Sequence, residues 1–354
     1  MKIAVAMSGG VDSSVAAYLL KAEGNDICGV TFRINKDNAA CDIDSSCLSN
    51  EDTEFAKSVA DRLDIPYHIL NYGENFRRDV LDTFVKTYAE GGTPNPCIDC
   101  NRHVKFGALL KESEAMGYPH IATGHYAKVE YDKGLDRYLL KRATDSSKDQ
   151  TYMLYTLTQD RLSRIVFPLG EYTKAQIREI AAENGFENAN RRDSQDICFV
   201  PDGDYAAFIE KYTGKKDLPG NFIDCEGNVL GVHSGIMHYT IGQGKHLGIS
   251  IGRKAFVTGI DPETRNITLG DNSMLFKKEL VADDVNIIVA DRLDTRVRVS
   301  AKIRYSAKEA LAWAVQDDNG LLHIEFDEPQ RAITKGQAVV MYDGDTVIGG
   351  GRIL

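Results

Sequence analysis

The segment from Ala6 to Ser14 has the residue types and the spacing of a phosphate-binding loop. Its sequence, AMSGGVDSS, follows an apolar run and precedes residues with helical spacing. Gly9 and Gly10 let backbone N–H groups approach a polyanion without obstruction by a Cβ atom. The helix that begins near Val11 would direct its positive end to the same place. Asp12 would be repelled by phosphate unless Mg²⁺ bridges them, and we assign it that role as a hypothesis.

A second group of reactive residues is TPNPCIDCN, from Thr93 to Asn101. Its two prolines stiffen the loop that presents the Cys-x-x-Cys pair. Cys100 precedes a predicted helix over 104–116, and a helix N-terminus lowers the pKa of a thiol. The alternatives at this point are a structural zinc site, in which His103 completes Cys-x-x-Cys-x-x-His, and two incidental thiols.

A third reactive segment, RRDSQDICF, ends at Phe199 and contains Cys198. Arg191 and Arg192 could stabilise a Cys198 thiolate. The alternative is a buried cysteine between Ile197 and Phe199 that behaves as a small hydrophobic residue.

The chain has seven cysteines, an odd number, and its N-terminus lacks the pattern of a secretory signal. A disulfide framework is therefore not expected, and reactive thiols or a metal site are favoured. Besides Cys97, Cys100 and Cys198, the cysteines are Cys28, Cys41, Cys47 and Cys225. No apolar run approaches the length of a membrane span, so we predict a soluble, cytoplasmic protein without a membrane partner.

The net charge of −10 argues against nonspecific binding of nucleic acid, which needs a basic surface. It does not exclude a local basic patch. Four dispersed basic pairs are candidates, and we interpret most of them as solvated surface. These pairs are Lys141–Arg142, Arg191–Arg192, Lys215–Lys216 and Arg253–Lys254.

The elements that must position these residues alternate between strands and helices in the first 200 residues. This order predicts an α/β domain with a doubly wound parallel sheet. Strands are predicted at 3–7, 27–34, 67–70 and 120–123, and helices at 11–22, 51–63, 76–88, 104–116 and 174–184, with helical character also at 152–157 and 162–165.

Glycine and proline become frequent near Pro201, and from about Leu280 the chain is rich in short β-like runs. Short strands separated by turn signals predict a small barrel or sandwich. Within this strand-rich part of the chain, a helix is predicted only at 308–313. A length of 354 residues suits two or three domains. We predict three: the α/β domain at 1–200, a small Gly-rich connector at 201–270 and a C-terminal β-barrel at 271–354.

The loop SGGVDSS resembles the signature of the PP-loop ATP pyrophosphatases, which cleave ATP between its α and β phosphates. Further motifs along nearly the whole chain resemble one branch of that superfamily, the tRNA-specific 2-thiouridylases. They are TPNPCIDCN, ATGHYA from Ala122, KDQTYML from Lys148, FPLGEYTK from Phe167, DSQDICFVPDGDY from Asp193, HYTIGQGKHLGI from His238, KIRY from Lys302 and GQAVVMY from Gly336.

The resemblance implies transfer of sulfur to C2 of the wobble uridine in glutamate, glutamine and lysine tRNAs, after adenylation of that position by ATP. Mg²⁺ is expected with the ATP. The residues implied to contact ATP are Ala6, Met7, Ser8, Gly9, Gly10, Val11, Asp12, Ser13, Phe32 and Gly124. Those implied to contact the tRNA are Asn95, Pro96 and Cys97 at the target base, and His125, Lys148, Asp149, Gln150, Arg304, Tyr305 and Gln337 elsewhere.

The resemblance also implies two catalytic cysteines. Cys198 would carry the sulfur as a persulfide, Cys100 would liberate it, and the two would end as a transient disulfide. A persulfide donor protein, a cysteine desulfurase or a relay, would supply the sulfur. An alternative is an iron–sulfur cluster held by Cys97, Cys100 and Cys198.

Two positions depart from the family pattern. Cys97 stands where many members have an aspartate that is proposed as acid or base, and a thiol replaces it only imperfectly. Phe32 stands where methionine is common, which we interpret as a tolerated stacking change against adenine. Two other functions are kept as alternatives: a PP-loop ligase that uses ammonia or an amino acid, and a metal-containing RNA-binding protein without catalysis.

Overall fold

The computed structural model describes residues 1–33, 50–189 and 197–354. The described chain forms two compact units. The first contains Met1–Val80, Cys97–Pro201 and Asp345–Val347. The second contains Leu81–Pro96, Asp202–Gly344 and Ile348–Leu354. The predicted division into three domains, at residues 200 and 270, remains a prediction.

The first unit is built on a five-stranded parallel sheet in the order β3-β2-β1-β4-β7. These strands are β1 (Lys2–Ala6), β2 (Asp26–Arg33), β3 (Tyr67–Asn71), β4 (His120–Thr123) and β7 (Ile165–Val166). Ile3 and Val5 of the central strand are buried among apolar side chains of the flanking helices. The doubly wound α/β fold predicted from the alternating pattern is confirmed.

The helices of the first unit lie largely where helical periodicity predicts them. They are Val11–Ala22, Asn50–Arg62, Gly73–Phe76, the π-helical Arg77–Leu81 (whose last residue lies in the second unit), Pro96–Asp99, the π-helical Cys100–Leu109, Leu110–Ala115, Gln159–Leu162 and Lys174–Glu183. A 3₁₀ turn, Thr151–Leu154, replaces the helix predicted at 152–157. The hairpin of β5 (Ala127–Asp132) and β6 (Arg137–Arg142) was not predicted.

The second unit begins with the helix Asp82–Ala89, which continues the helical stretch predicted at 76–88. Its Phe84 ring packs on Tyr205 and Phe208 of the helix Tyr205–Thr213. A four-stranded sheet in the order β10-β11-β8-β9 follows. Its strands are β8 (Gly220–Ile223), β9 (Val229–His233), β10 (Phe256–Asp261) and β11 (Asn266–Gly270).

The C-terminal strands close into a barrel, as predicted, because β17 pairs with both β16 and β12. The strand order is β12-β15-β14-β13-β16-β17. The strands are β12 (Phe276–Ile287), β13 (Val297–Lys302), β14 (Ala310–Gln316), β15 (Leu322–Arg331), β16 (Ala338–Asp343) and β17 (Thr346–Ile353).

The helix predicted at 308–313 is wrong, since most of that segment belongs to β14. Leu311 and Trp313 are exposed, whereas Ala312 and Ala314 are buried. This alternation with period two suits a strand whose inner face lines the barrel core. The helical propensity of alanine and leucine is overridden by that burial pattern.

Candidate active site

The predicted phosphate loop lies between the end of β1 and the helix Val11–Ala22, as the sequence predicts. Gly9 has a φ of +75°, and a Cβ atom there would lie 2.3 Å from the carbonyl oxygen of Asp52. Only glycine is therefore compatible with this turn. Gly10 caps the helix without a side-chain hydrogen bond, so the first helical N–H groups are available to an anion.

The serine hydroxyls of the loop are used mainly to fix its shape. Ser13 Oγ donates to the carbonyl oxygen of Gly10 at 3.0 Å and accepts from the backbone N–H of Ser8 at 3.1 Å. Ser14 Oγ donates to the same Gly10 oxygen at 3.1 Å. The loop is thus held by hydrogen bonds within itself.

Asn188 supports the loop from a distant part of the chain, and sequence reasoning missed it. Its buried side-chain amide donates to the carbonyl oxygen of Gly9 at 2.8 Å and to Ser14 Oγ at 2.9 Å. Asn188 lies outside the motifs that carry the family resemblance, so no signal in the single sequence identifies it.

Asp12 makes an ion pair with Lys174, at the start of the helix Lys174–Glu183. Lys174 Nζ donates to both carboxylate oxygens, at 2.7 and 2.8 Å, and Tyr126 donates its hydroxyl to one of them at 2.8 Å. Both carboxylate oxygens therefore accept hydrogen bonds within the protein, and the Mg²⁺-bridging role of Asp12 remains a prediction. Lys174 ends the FPLGEYTK motif, which could have pointed to it.

The other residues predicted to contact ATP also lie at the carboxyl ends of the parallel strands. Phe32 is half-buried near the end of β2. Gly124 follows β4, and a Cβ atom there would lie 2.8 Å from the backbone of Asp12 and Ser13. Met7 is buried, and both its N–H and its carbonyl oxygen are hydrogen-bonded to β2. Such an edge is where doubly wound sheets bind ligands.

His125 follows Gly124 and is half-buried between the rings of Phe106 and Phe167. Its Nδ1 lies 2.7 Å from the hydroxyl of Thr123. Burial, and secondarily the charge of Lys105, hold the pKa of His125 well below its ordinary value. The imidazole is therefore neutral at pH 7, and any contact with tRNA would be a hydrogen bond or stacking rather than a charge interaction.

The predicted low pKa of Cys100 is wrong. The helix begins at Pro96, upstream of the predicted 104–116, so Cys100 lies one turn inside it. Burial raises the pKa of the Cys100 thiol to about 11, and the nearby charge of Lys105 opposes the rise. Cys100 is a half-buried free thiol, whereas Cys97 is exposed.

Cys198 is exposed and takes part in a disulfide. Cys100 is not its partner, because Cys100 is a free thiol together with Cys28, Cys97 and Cys225. The structure thus records a state other than the Cys100–Cys198 disulfide implied by the family. Arg191 and Arg192, predicted to stabilise a Cys198 thiolate, lie outside the described residues, as do Cys41 and Cys47.

The described residues do not form a ligand set for either of the two metal sites considered from the sequence, the zinc site and the iron–sulfur cluster. Across residues 1–33, 50–189 and 197–354, no group of three His, Cys, Asp or Glu side chains is placed to hold a metal ion. His103 therefore does not complete a zinc site with Cys97 and Cys100. Cys198 likewise does not join those two cysteines in a cluster site.

The predicted tRNA contacts of the first unit serve partly as internal supports. Asp149 is buried, and its carboxylate accepts from the backbone N–H of Ala143 at 3.1 Å and from Thr151 Oγ1 at 2.6 Å. Gln150 Oε1 accepts from the backbone N–H of Tyr126 at 3.0 Å. Lys148 is half-buried.

In the second unit, Gln337 fixes the loop that precedes Asn95 and Pro96. Its side-chain amide donates to the carbonyl oxygens of Thr93 at 2.9 Å and Pro94 at 3.3 Å.

Two further residues that were predicted to contact tRNA lie on the barrel. Arg304 donates to the carbonyl oxygens of Arg331 and Ala332 at 3.2 and 3.3 Å. Tyr305 is exposed, with Lys302 Nζ 5.5 Å from its ring centre.

Within the part of the chain that the structure covers, no helix has the length and apolar character needed to cross a bilayer.

Comparison with known proteins matches three consecutive family profiles. Residues 1–202 match a tRNA methyl transferase HUP domain, residues 206–271 a tRNA methyl transferase PRC-barrel domain, and residues 277–353 an aminomethyltransferase β-barrel domain.

The chain also matches relatives over almost their full length. The chain is 51% identical to the tRNA-specific 2-thiouridylase MnmA of Clostridioides difficile, over 99% of this chain and 98% of that protein. It is 50% identical to the protein of the same name from Lachnoclostridium phytofermentans, over 100% of this chain and 99% of that one.

Proposed function

Because this chain belongs to the family of tRNA-specific 2-thiouridylases, we propose that it adenylates C2 of the wobble uridine of a tRNA and then replaces the C2 oxygen with sulfur. The observation that best supports this is the internally hydrogen-bonded phosphate loop with the thiol of Cys100 in the same unit. ATP is its cofactor and tRNA its substrate. We keep a cytoplasmic location as part of the proposal, since tRNA is the substrate.

Adenylation solves a chemical problem, because the C2 oxygen of uridine is a poor leaving group. In the proposed step this oxygen attacks the α-phosphorus of ATP, and the bond to the β-phosphate breaks with release of pyrophosphate. The helix N-terminus after Gly10 and the Lys174 ammonium would stabilise the charge that develops on the phosphates. Mg²⁺ entering with ATP would neutralise part of the charge on the phosphates, and Asp12 is the residue that we propose would hold it.

Sulfur transfer would follow on the activated C2. The terminal sulfur of a Cys198 persulfide attacks C2, and AMP leaves with the former C2 oxygen. The Cys100 thiolate then attacks Cys198 Sγ, so the S–S bond breaks and its electron pair stays on the sulfur attached to C2. The product is 2-thiouridine and a Cys100–Cys198 disulfide, which an external thiol must reduce before a donor protein supplies the next persulfide.

The pKa of about 11 means that Cys100 is mainly a thiol at neutral pH. Lys105 is the cation that opposes this rise. We propose that Lys105 stabilises the Cys100 thiolate when it forms, and that substrate binding assists its deprotonation.

The experiment that tests this function is a pyrophosphate-release assay with unmodified tRNA, ATP and a persulfide donor. Release should depend on tRNA and should be lost with tRNA whose wobble base is cytidine. Release that is independent of tRNA would refute the proposal.

A further inference from the structure

A basic concave surface lies in the second unit, in the loop between His238 and β10. We call it the connector pocket. It has a volume of about 490 Å³. Its walls include Gly244, His246, Ile249, Arg253, Lys254 and Leu269. None of these residues belongs to the ATP or sulfur chemistry described above.

The sequence around this pocket differs sharply in charge from the rest of the chain. The 34 residues from Gly227 to Ile260 include no aspartate or glutamate, although the whole chain has a net charge of −10. Lys245, Arg253 and Lys254 are exposed. Arg253 pairs with Asp271 at 2.7 Å, but both side chains are more than half exposed, so that pair is weak and exchangeable.

The pocket is held in shape by packing around one aromatic ring. Lys254 Nζ and the Arg331 guanidinium lie 5.4 and 5.2 Å from the centre of the Phe256 ring. Arg331 also donates to the carbonyl oxygen of Gly242 at 3.0 Å. A Cβ atom at Gly244 would lie 2.6 Å from the same ring. Packing on the Phe256 ring therefore supports the loop that carries the basic groups.

Two glycines leave the loop backbone accessible. Gly248 and Gly252 both have a φ of +74°, and among the described residues beyond their chain neighbours no heavy atom lies within 4 Å of the position a Cβ would take at either. Backbone groups at such positions can approach a polyanion closely.

We propose that the connector pocket binds the phosphate backbone of the tRNA. This inference rests on the proposed function, because it names a second contact region for the same substrate. A polyphosphate such as ATP has its own loop in the first unit, whereas a folded RNA offers many phosphodiester groups. The pocket thus supplies a local basic patch that an acidic protein needs to bind RNA.

The test measures the affinity of full-length protein for tRNA between 50 and 200 mM salt. In Arg253→Gln/Lys254→Gln the Kd should rise roughly tenfold, and the slope of log Kd against log salt should fall by about two, one for each phosphate contact. The matched control is Lys215→Gln/Lys216→Gln, which removes the same charge from an exposed pair in the same unit outside the pocket.

A second variant distinguishes loss of charge from loss of folding. Arg253→Lys/Lys254→Arg keeps both charges, so it should bind tRNA with the wild-type salt slope. Thiolation by the wild type, measured in parallel, tests the proposed function separately from this inference. Compared with the wild type, the Arg253→Gln/Lys254→Gln variant should have a higher KM for tRNA and the same kcat.

Three results would overturn the inference. The first is a wild-type Kd and slope in the pocket variant. The second is an equal loss in the Lys215/Lys216 control. The third is unchanged tRNA affinity with slower sulfur loading, which would assign the loop to the donor protein instead.

Discussion

The carboxylate of Asp12 accepts hydrogen bonds from the ammonium of Lys174 at 2.7 and 2.8 Å, although 162 positions separate the two residues in the chain. The pair joins the first helix of the phosphate loop to the helix Lys174–Glu183. It leaves a nearly buried lysine beside the proposed phosphate site and neutralises an acidic residue that would otherwise repel ATP.

Lys174→Met should lower kcat/KM for ATP on the order of a hundredfold, because it removes a cation and leaves the Asp12 carboxylate unpaired. ATP-dependent pyrophosphate release checks this. Lys128→Met is the matched control, since the half-buried Lys128 pairs with the exposed Glu171 at 3.0 Å and is not among the residues proposed to bind ATP. Asp12→Asn/Lys174→Met should recover stability without recovering activity. A Lys174→Met enzyme with wild-type kcat/KM would contradict the assigned role.

Asn188→Ala should raise KM for ATP and reduce the free energy of unfolding by about 1–3 kcal/mol. The change removes two hydrogen bonds and leaves the Gly9 carbonyl buried without that donor. Denaturant unfolding and ATP titration measure the two effects. Asn184→Ala is the control, because the Asn184 amide donates within its own helix, to the carbonyl oxygen of Ile180. Equal KM values for ATP in the two variants would contradict a role for Asn188 in supporting the loop.

The sequence predicted the phosphate loop and the parallel sheet because both depend on local signals: two glycines, an apolar strand and a helical period. It could not predict the pairing of Asp12 with Lys174 or of Asn188 with Gly9, since such contacts depend on how distant segments pack. The prediction of a lowered pKa for Cys100 was wrong for a related reason. The helix start was misplaced, and burial dominates over the helix dipole at the position the thiol occupies.

The stability of the protein should fall in mild acid because of His125. Its pKa is lowered in the folded state, whereas an unfolded histidine titrates near about 6.5. Below pH 6.5 the unfolded chain therefore binds more protons, and the free energy of unfolding declines as pH falls toward the folded pKa, by up to about 1.4 kcal/mol per unit. Above pH 6.5 the contribution is complete.

His125→Gln should remove this part of the acid sensitivity. Urea unfolding of both proteins from pH 5 to pH 8 measures the difference. His233 also has a lowered pKa, but it is present in both proteins and cancels. Parallel pH curves for the two would show that His125 is not the group responsible.

Alkylation of Cys100 should be slow at neutral pH and should accelerate up to about pH 11, because only the thiolate reacts. Peptide mass spectrometry after iodoacetamide treatment measures the rate at this residue. Lys105→Gln should slow alkylation further at every pH below that value, since it removes the cation that opposes the rise. A plateau near pH 8.5, as for an ordinary cysteine, would contradict the buried environment.

Gln337→Ala should raise KM for tRNA several-fold with no change in KM for ATP. The substitution releases the carbonyl oxygens of Thr93 and Pro94, and with them the loop before Asn95. Gln330→Ala is a suitable control, because the Gln330 amide donates to the carbonyl oxygen of nearby Glu328 in an exposed hydrogen bond. A rise in KM for ATP instead would mean that the substitution disturbs the whole protein.

The role of the cysteines is tested most directly by mass spectrometry of tRNA nucleosides after reaction with ATP, a persulfide donor and a thiol reductant. The wild type and Cys97→Ser should form 2-thiouridine, whereas Cys100→Ser and Cys198→Ser should form none. Loss with all three variants would favour the cluster alternative. Undiminished 2-thiouridine with Cys100→Ser or Cys198→Ser would contradict the proposed two-cysteine sulfur transfer.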